Sequence, residues 1–363
     1  MTQKERYEIA LSGRAADKVP WAVNFDHWWG VNKERGTLPK RFEGMDRFDI
    51  SRSLGVAIWG RTGLCASESP NVNVSSKTDG DSEIVSYETP RGILYERYKR
   101  APDFTRAVFR LEHMVKGPED LPAYKSYIQA PVITADYAPA EQMIKDVGED
   151  GIVLATGSSS PYQEFMINAA GWMTGLYMLA DYPSEVEEVL EAIAEKALEC
   201  YEVIAKGPVW VCHEGDNMDT MTSPPHYRRY VIPFCRRAAE VHHRYGKHYE
   251  SHYDGALGNL LPLIPETGLD SIEAFTPAPM TDCTIQDAFE HLHGKVVIQG
   301  GVPSVALCHN FPLDELKRLV RDALELGKQG GFILGMGDNV PPDADFSRLD
   351  FITELVEKHG RIG

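Results

Sequence analysis

Residues 249–258, YESHYDGALG, place two potential metal ligands one residue apart. Side chains at positions i and i+2 of an extended segment point to the same side, so His252 and Asp254 could bind one ion together. Imidazole and carboxylate groups both bind zinc and similar divalent ions. Asp254 also precedes a glycine, so a polar turn at the end of a strand is the alternative interpretation of this segment.

Other polar groups follow short β-rich segments in the same way. His213, Glu214 and Asp216 end the segment 208–214 or follow it, and we predict catalytic roles for them. Asp338 follows a segment that ends at residue 336, and we predict that it binds the metal together with His252 and Asp254. A strand-end ion pair between His213 and Glu214, and a turn or capping role for Asp338, are the structural alternatives.

Aromatic and polar residues that follow two earlier strand-like segments could bind a flat ligand. Two adjacent tryptophans can form the wall of a small-molecule site, although they can equally belong to the core. The residues that we predict to bind substrate are Asp26, His27, Trp28, Trp29, Tyr162 and Glu273.

Strand-like and helix-like segments alternate along most of the chain, which predicts a parallel sheet. The predicted strands are 19–25, 55–60, 151–156, 208–214, 247–252, 270–275, 295–301 and 331–336, and the clearest helices are 183–205, 225–245 and 312–329. Eight such strands predict a (β/α)8 TIM barrel, whose ligand-binding residues gather at the carboxyl ends of the strands. An open doubly wound sheet is the competitor, but the glycine-rich GxGxxG turn typical of that fold does not occur.

Residues 60–135 interrupt this alternation. The stretch SEIVSYETPRGILYERYKR predicts a β-hairpin with a Pro-Arg-Gly turn. We interpret 60–135 as an insertion or lid within one domain that spans residues 1–363.

The composition excludes several classes of function. With 37 Lys and Arg against 54 Asp and Glu, the formal net charge is −17, so binding to nucleic acid is not expected. No stretch approaches the length of a membrane span, and the start of the chain lacks an apolar signal core. The six cysteines show no CxxC spacing, which is typical of a reduced, cytoplasmic protein. A homodimer is compatible with these features.

Several segments resemble the uroporphyrinogen decarboxylase superfamily. They are KERYEIALSGRAADKVPWAVNF near the start, GSSSPYQEFMINAAG at 157–171, and the stretches 223–255 and 327–360. The resemblance covers nearly the whole chain and implies a (β/α)8 barrel. Members that decarboxylate uroporphyrinogen carry an arginine-rich motif of the form RQAGR, whereas this sequence reads FDHWWG at the corresponding place.

A second branch of the superfamily consists of corrinoid-dependent methyltransferases. Its zinc enzymes carry an HxC motif after one barrel strand and another cysteine after the last strand. These motifs fall on His252-Tyr253-Asp254 and on Gly337-Asp338, so aspartate replaces both cysteines here. Carboxylate and imidazole ligands leave a metal more strongly Lewis-acidic than thiolates do, which suits polarising an ether oxygen.

The resemblance therefore implies transfer of a methyl group from a small methylated compound to the cobalt of a corrinoid protein. Our best prediction for the donor is a methoxylated aromatic, activated by zinc or a similar divalent metal. The chain has no DxHxxG cobalamin motif, so the corrinoid is expected on a separate partner protein. The alternatives are a metal-free lyase that resembles uroporphyrinogen decarboxylase and uses Asp and His as acid and base, and a non-catalytic barrel that binds a small molecule.

Overall fold

The computed structural model describes residues 1–101 and 107–362, and a parallel sheet forms its centre. Seven strands lie in the order β1-β8-β9-β10-β11-β12-β13, and each neighbouring pair is parallel. The strands are β1 (Ile58–Thr62), β2 (Cys65–Glu68), β3 (Asn73–Asp79), β4 (Ser82–Thr89), β5 (Gly92–Arg100), β6 (Val108–Glu112), β7 (Val132–Ala135), β8 (Gly151–Thr156), β9 (Val211–Glu214), β10 (His248–His252), β11 (Ser271–Phe275), β12 (Val297–Pro303) and β13 (Phe332–Gly337).

The first predicted strand, 19–25, forms isolated bridges instead of a continuous strand. The Leu334 amide donates to the Pro20 carbonyl at 2.9 Å, and the Ala57 amide donates to the Trp21 carbonyl at 2.8 Å. This short segment therefore lies between β13 and β1, the two edge strands of the curled sheet.

Helices lie before, between and after the strands of the parallel sheet. They are α1 (Gln3–Leu11), α2 (Asp26–Arg35), α3 (Arg47–Leu54), α4 (Leu121–Gln129), α5 (Ala138–Val147), α6 (Pro161–Gln163), α7 (Trp172–Asp181), α8 (Pro183–Lys206), α9 (Pro224–His226), α10 (Ile232–Arg244), α11 (Ile285–Leu292), α12 (Leu313–Gly327) and α13 (Ser347–His359). The predicted helix 225–245 is interrupted by a π-helical segment, Tyr227–Val231, before α10 begins. No helix within the described ranges is long and apolar enough to cross a membrane.

Residues 82–100, which the sequence predicts as a hairpin, form the antiparallel strands β4 and β5. Thr89 pairs with Gly92, so the turn between the strands consists of Pro90 and Arg91. Strands β3 and β6 flank this pair in a four-stranded antiparallel sheet, and β2 pairs separately with β7.

Side-chain alternation determines which residues face the inside of the curled sheet. Helix α1 places Tyr7 and Leu11 against Trp59, Leu154 and Val211, in an apolar cluster at the amino-terminal end. Successive side chains on a strand point to opposite faces. His213 and Arg61, which lie two positions after Val211 and Trp59, therefore point to the same interior as those two residues. The parallel register aligns His213 with Glu250 and His252 with Glu273, so these four residues share that interior face.

Candidate functional site

Three side chains converge at the carboxyl ends of three adjacent strands. His213 of β9, His252 of β10 and Glu273 of β11 each offer one ligand atom, and these atoms all lie within 4.8 Å of one another. The Oε2 atom of Glu273 lies 2.5 Å from Nδ1 of His252 and 4.0 Å from Nε2 of His213. The parallel register causes this convergence, since it brings residues that are distant in sequence to neighbouring positions.

A buried carboxylate orients the His213 ring. Nδ1 of His213 lies 3.0 Å from Oε1 of Glu250, and Oε2 of Glu250 accepts a hydrogen bond of 2.9 Å from the Ser271 hydroxyl. Burial raises the pKa of Glu250, but His213, together with His248 and Ser271, lowers it, so that the pKa lies below its usual value. An ionised Glu250 accepts a hydrogen bond from Nδ1–H of His213, so Nε2 of His213 keeps its lone pair free to bind a cation.

Of the predicted metal ligands His252, Asp254 and Asp338, the first two lie side by side. Nε2 of His252 is 3.6 Å from Oδ2 of Asp254. Burial lowers the pKa of His252, yet Glu273 and Asp254 outweigh that effect and raise it well above its usual value. Burial raises the pKa of Asp338, the charge of His252 lowers it, and the charges of Asp254 and Glu273 raise it further.

The chemistry of this donor set fits a divalent cation. Two imidazoles and the Glu273 carboxylate place ligand atoms within 4.8 Å of one another, and a further carboxylate, Glu250, already orients a ring nitrogen toward the cluster. The cluster opens toward solvent on one side, since the side chains of His252 and Asp254 retain 16% and 26% of their exposure. A small molecule could reach it from that side.

Glu214 points in the opposite direction from its neighbour His213. Its Oε2 atom accepts hydrogen bonds from Tyr249 and, at 3.2 Å, from Tyr201 of helix α8. Burial raises the pKa of Glu214 well above its usual value, and the Asp216 carboxylate raises it further. Alternation along β9 therefore places Glu214 on the outer face of the sheet, so it does not enter the interior that His213 faces.

Asp216 follows the end of β9 and is fully buried. Its Oδ1 atom accepts a hydrogen bond of 2.7 Å from the Ser160 amide. Burial raises its pKa, while the charge of His252 opposes the shift. Its Oδ2 atom and Oε1 of Glu214 have no hydrogen-bond partner in the described structure, so one shared proton would satisfy both oxygens.

The predicted tryptophan wall does not form. Trp28 and Trp29 lie on helix α2, where adjacent side chains point in different directions. Trp28 is only 3% exposed and packs against Phe346, with ring centroids 4.1 Å apart. Trp29 lines a separate hollow of about 420 Å³ together with Lys33 and Met45.

Two of the remaining predicted substrate residues, Asp26 and Tyr162, make contacts outside the histidine cluster. Asp26 forms an ion pair with Arg47, and His27 lies half-buried on α2. Tyr162 is fully buried and stacks on Tyr230, with ring centroids 5.7 Å apart. Of the residues predicted to bind substrate, the described contacts bring Glu273 to the histidine cluster.

Two residues at this site were missed by the sequence reasoning. Glu250 precedes His252 by two positions, so the same alternation that paired His252 with Asp254 could have identified it. Trp59 contacts the His213 ring edge-on, with ring centroids 5.3 Å apart. Its position in a predicted strand does not by itself indicate a place in the site.

Comparisons with known proteins agree with this fold. The sequence profile of the family described as "Uroporphyrinogen decarboxylase (URO-D)" matches residues 138–359. A curated "Uroporphyrinogen decarboxylase" from Arthrobacter sp. (strain FB24) is 28% identical over 131 residues, so the match spans 36% of this chain and 36% of that relative. A solved structure described as "methyltransferase from Methanosarcina mazei" matches with a TM-score of 0.62 and 13% identity over 99% of each chain, which shows a shared fold.

Proposed function

The chain belongs to the uroporphyrinogen decarboxylase family, and from that premise we propose that it transfers a methyl group from a small methoxylated aromatic compound to the cobalt of a corrinoid protein. The observation that carries this proposal is the cluster of His213, His252 and Glu273 at the carboxyl ends of adjacent strands. Ligand sites of barrel proteins lie at that end of the sheet. The likeness in fold to the Methanosarcina protein is compatible with the proposal but does not carry it.

A divalent metal such as zinc would be held by His213, His252 and Glu273. We favour these residues because Glu250 already fixes the His213 ring with Nε2 directed toward Glu273. The set predicted from the sequence, His252, Asp254 and Asp338, would instead use the other nitrogen of His252, which faces Asp254. When bound, the metal would supply Lewis acidity at the ether oxygen of the methyl donor.

The proposed reaction breaks the methyl C–O bond and forms a methyl–cobalt bond. Cobalt(I) of the partner supplies the electron pair, and the aryl oxygen leaves as a phenolate that must gain a proton. We assign the proton to solvent water, which reaches the cluster on the side where His252 and Asp254 are partly exposed. Glu214 and Asp216 do not touch the substrate in this scheme, because Glu214 points away from the interior that His213 faces and Asp216 is fully buried.

The finer architecture is part of the same proposal. Residues 19–25 would complete a closed eight-stranded barrel, because they bond to both edge strands. Residues 60–135 would form an insertion that covers one side of the site. We also propose a cytoplasmic location, a separate corrinoid-carrying partner, and assembly as a homodimer.

A metal-free decarboxylase is the second candidate, and the Arthrobacter relative favours it over part of the chain. The two functions are distinguished by assaying one preparation, with and without zinc, for methyl transfer from methoxyarenes to cob(I)alamin and for carbon dioxide release from uroporphyrinogen. Metal-dependent methyl transfer supports our proposal. Carbon dioxide release that survives metal removal supports the decarboxylase, and binding without either reaction indicates a non-catalytic barrel.

A further inference from the structure

Arg61 lies inside the mouth of the curled sheet, next to the proposed metal site. It follows Trp59 by two positions on β1, so both side chains point to the interior and Arg61 is nearer the carboxyl end. The guanidinium carbon of Arg61 lies 4.8 Å from the centroid of the Trp59 ring. The same Trp59 ring also contacts His213, with ring centroids 5.3 Å apart. Two side-chain contacts therefore connect Arg61 with the cluster.

The Arg61 guanidinium has no acidic partner. Across residues 1–101 and 107–362 it forms no ion pair and no side-chain hydrogen bond, and its guanidinium lies over the Trp59 ring. The residue is half-buried, in a chain whose formal net charge is −17. Removing a cation from water without giving it an acidic partner costs free energy. An unpaired, half-buried guanidinium therefore favours the binding of an anionic ligand.

We propose that Arg61 binds an anionic group of the substrate, so that the methyl donor is a methoxylated aromatic carboxylate. This inference rests on the proposed methyl transfer and narrows its substrate class. A guanidinium matches the planar carboxylate with two parallel hydrogen bonds, which would fix the aromatic ring in one orientation.

The surrounding charges favour a carboxylate over other anions. Glu250, Glu273, Asp254 and Asp338 surround the cluster, so a doubly charged phosphate would meet stronger repulsion than a singly charged carboxylate. The neutral part of the ligand can lie against the Trp59 indole, which already contacts His213.

The test compares an acid with its neutral counterpart. Arg61→Met keeps an apolar stem and removes the charge, and Arg61→Lys restores a charge without the planar fork. The matched control Arg229→Met removes an exposed arginine that lies 5.3 Å from the Tyr230 ring and pairs with Glu187. Binding of 4-hydroxybenzoate and of 4-hydroxybenzyl alcohol is measured by calorimetry, and KM is measured for the corresponding methoxy compounds with the zinc content of each variant determined.

We expect Arg61→Met to weaken benzoate binding roughly 10- to 100-fold, as the loss of a charge-assisted pair does, and to leave binding of the alcohol within about twofold. Arg61→Lys should recover part of the loss, and Arg229→Met should change neither ligand. Zinc content should stay at the wild-type level in all three variants.

Three results would overturn the inference: equal binding of acid and alcohol by the wild type, equal loss of both ligands in Arg61→Met, or a change in zinc content alone. Failure of the proposed function gives a different pattern. In that case Arg61-dependent binding of benzoates persists while no methoxyarene loses its methyl group, and the anion site stands without methyl transfer.

Discussion

Replacing Glu250 by glutamine tests whether His213 is a metal ligand. The side chains of His213 and Glu250 retain 4% and 1% of their exposure, so the bond between them is almost fully desolvated. Glutamine preserves the size and one acceptor oxygen but removes the charge. A hydrogen bond to a charged group stabilises by about 1.5–3 kcal/mol and a neutral one by about 0.5–1.5, so the change weakens the orientation of His213 by about 1.5 kcal/mol.

That loss corresponds to a roughly tenfold increase in a dissociation constant. Removing a carboxylate that is hydrogen-bonded to a metal-bound histidine typically lowers metal affinity about 10- to 100-fold. We therefore expect Glu250→Gln to raise the zinc dissociation constant about 10- to 100-fold in a competition titration with a chelator. The control is Glu96→Gln on β5, which also changes a buried, paired glutamate but lies in the four-stranded sheet. The reasoning is refuted if both variants lower the thermal midpoint alike and Glu250→Gln binds zinc as tightly as the wild type.

Further changes separate the site from the core. His252→Ala should lose the metal while circular dichroism stays native, because His252 ends its strand half-buried. Asp338→Asn should keep the fold, since asparagine tolerates the positive φ of 76° at this position, and should lower kcat about tenfold or more in the methyl-transfer assay. Trp28→Ala should lower the free energy of unfolding by about 3–5 kcal/mol in urea, with substrate KM unchanged once the protein is folded, because this ring is core. His242 is buried without a hydrogen-bond partner among the described residues, and burial lowers its pKa to about 4. Near pH 6.5 the His242 imidazole takes up a proton more readily in the unfolded chain than in the folded protein. The free energy of unfolding therefore falls as the pH falls from 6.5 toward 4. In urea unfolding, His242→Phe should remove about 2 kcal/mol of the decrease in unfolding free energy between pH 7 and pH 5.

The alternation of strands and helices could be predicted from the sequence because each strand of a parallel sheet is buried on both faces. Such strands are short and apolar, and the helices between them carry an apolar stripe. The exception is the segment 19–25, where isolated bridges replace a regular strand. Those bonds involve residues far apart in sequence, and local patterns carry no information about them.

The candidate site could be predicted only in part. His252 and Asp254 were recognisable because they share one strand end, but the contact between His213 and Glu250 joins different strands. The prediction of a catalytic role for Glu214 overlooked the two-residue period of a strand, because the residue next to His213 must face the opposite side. Trp28 lies in the core because its segment begins helix α2, and the adjacent aromatic pair does not reveal which ring turns inward.

The most direct measurement of the central claim is the single-turnover reaction of the zinc-loaded chain with a methoxybenzoate and cob(I)alamin, followed by absorbance and by quantifying the aromatic product. Our account predicts that methylcobalamin and the hydroxybenzoate appear in equal amounts, and that chelation of zinc or the His252→Ala change abolishes both. Turnover of methylamines or methylated thiols with no reaction of any methoxyarene would contradict the account.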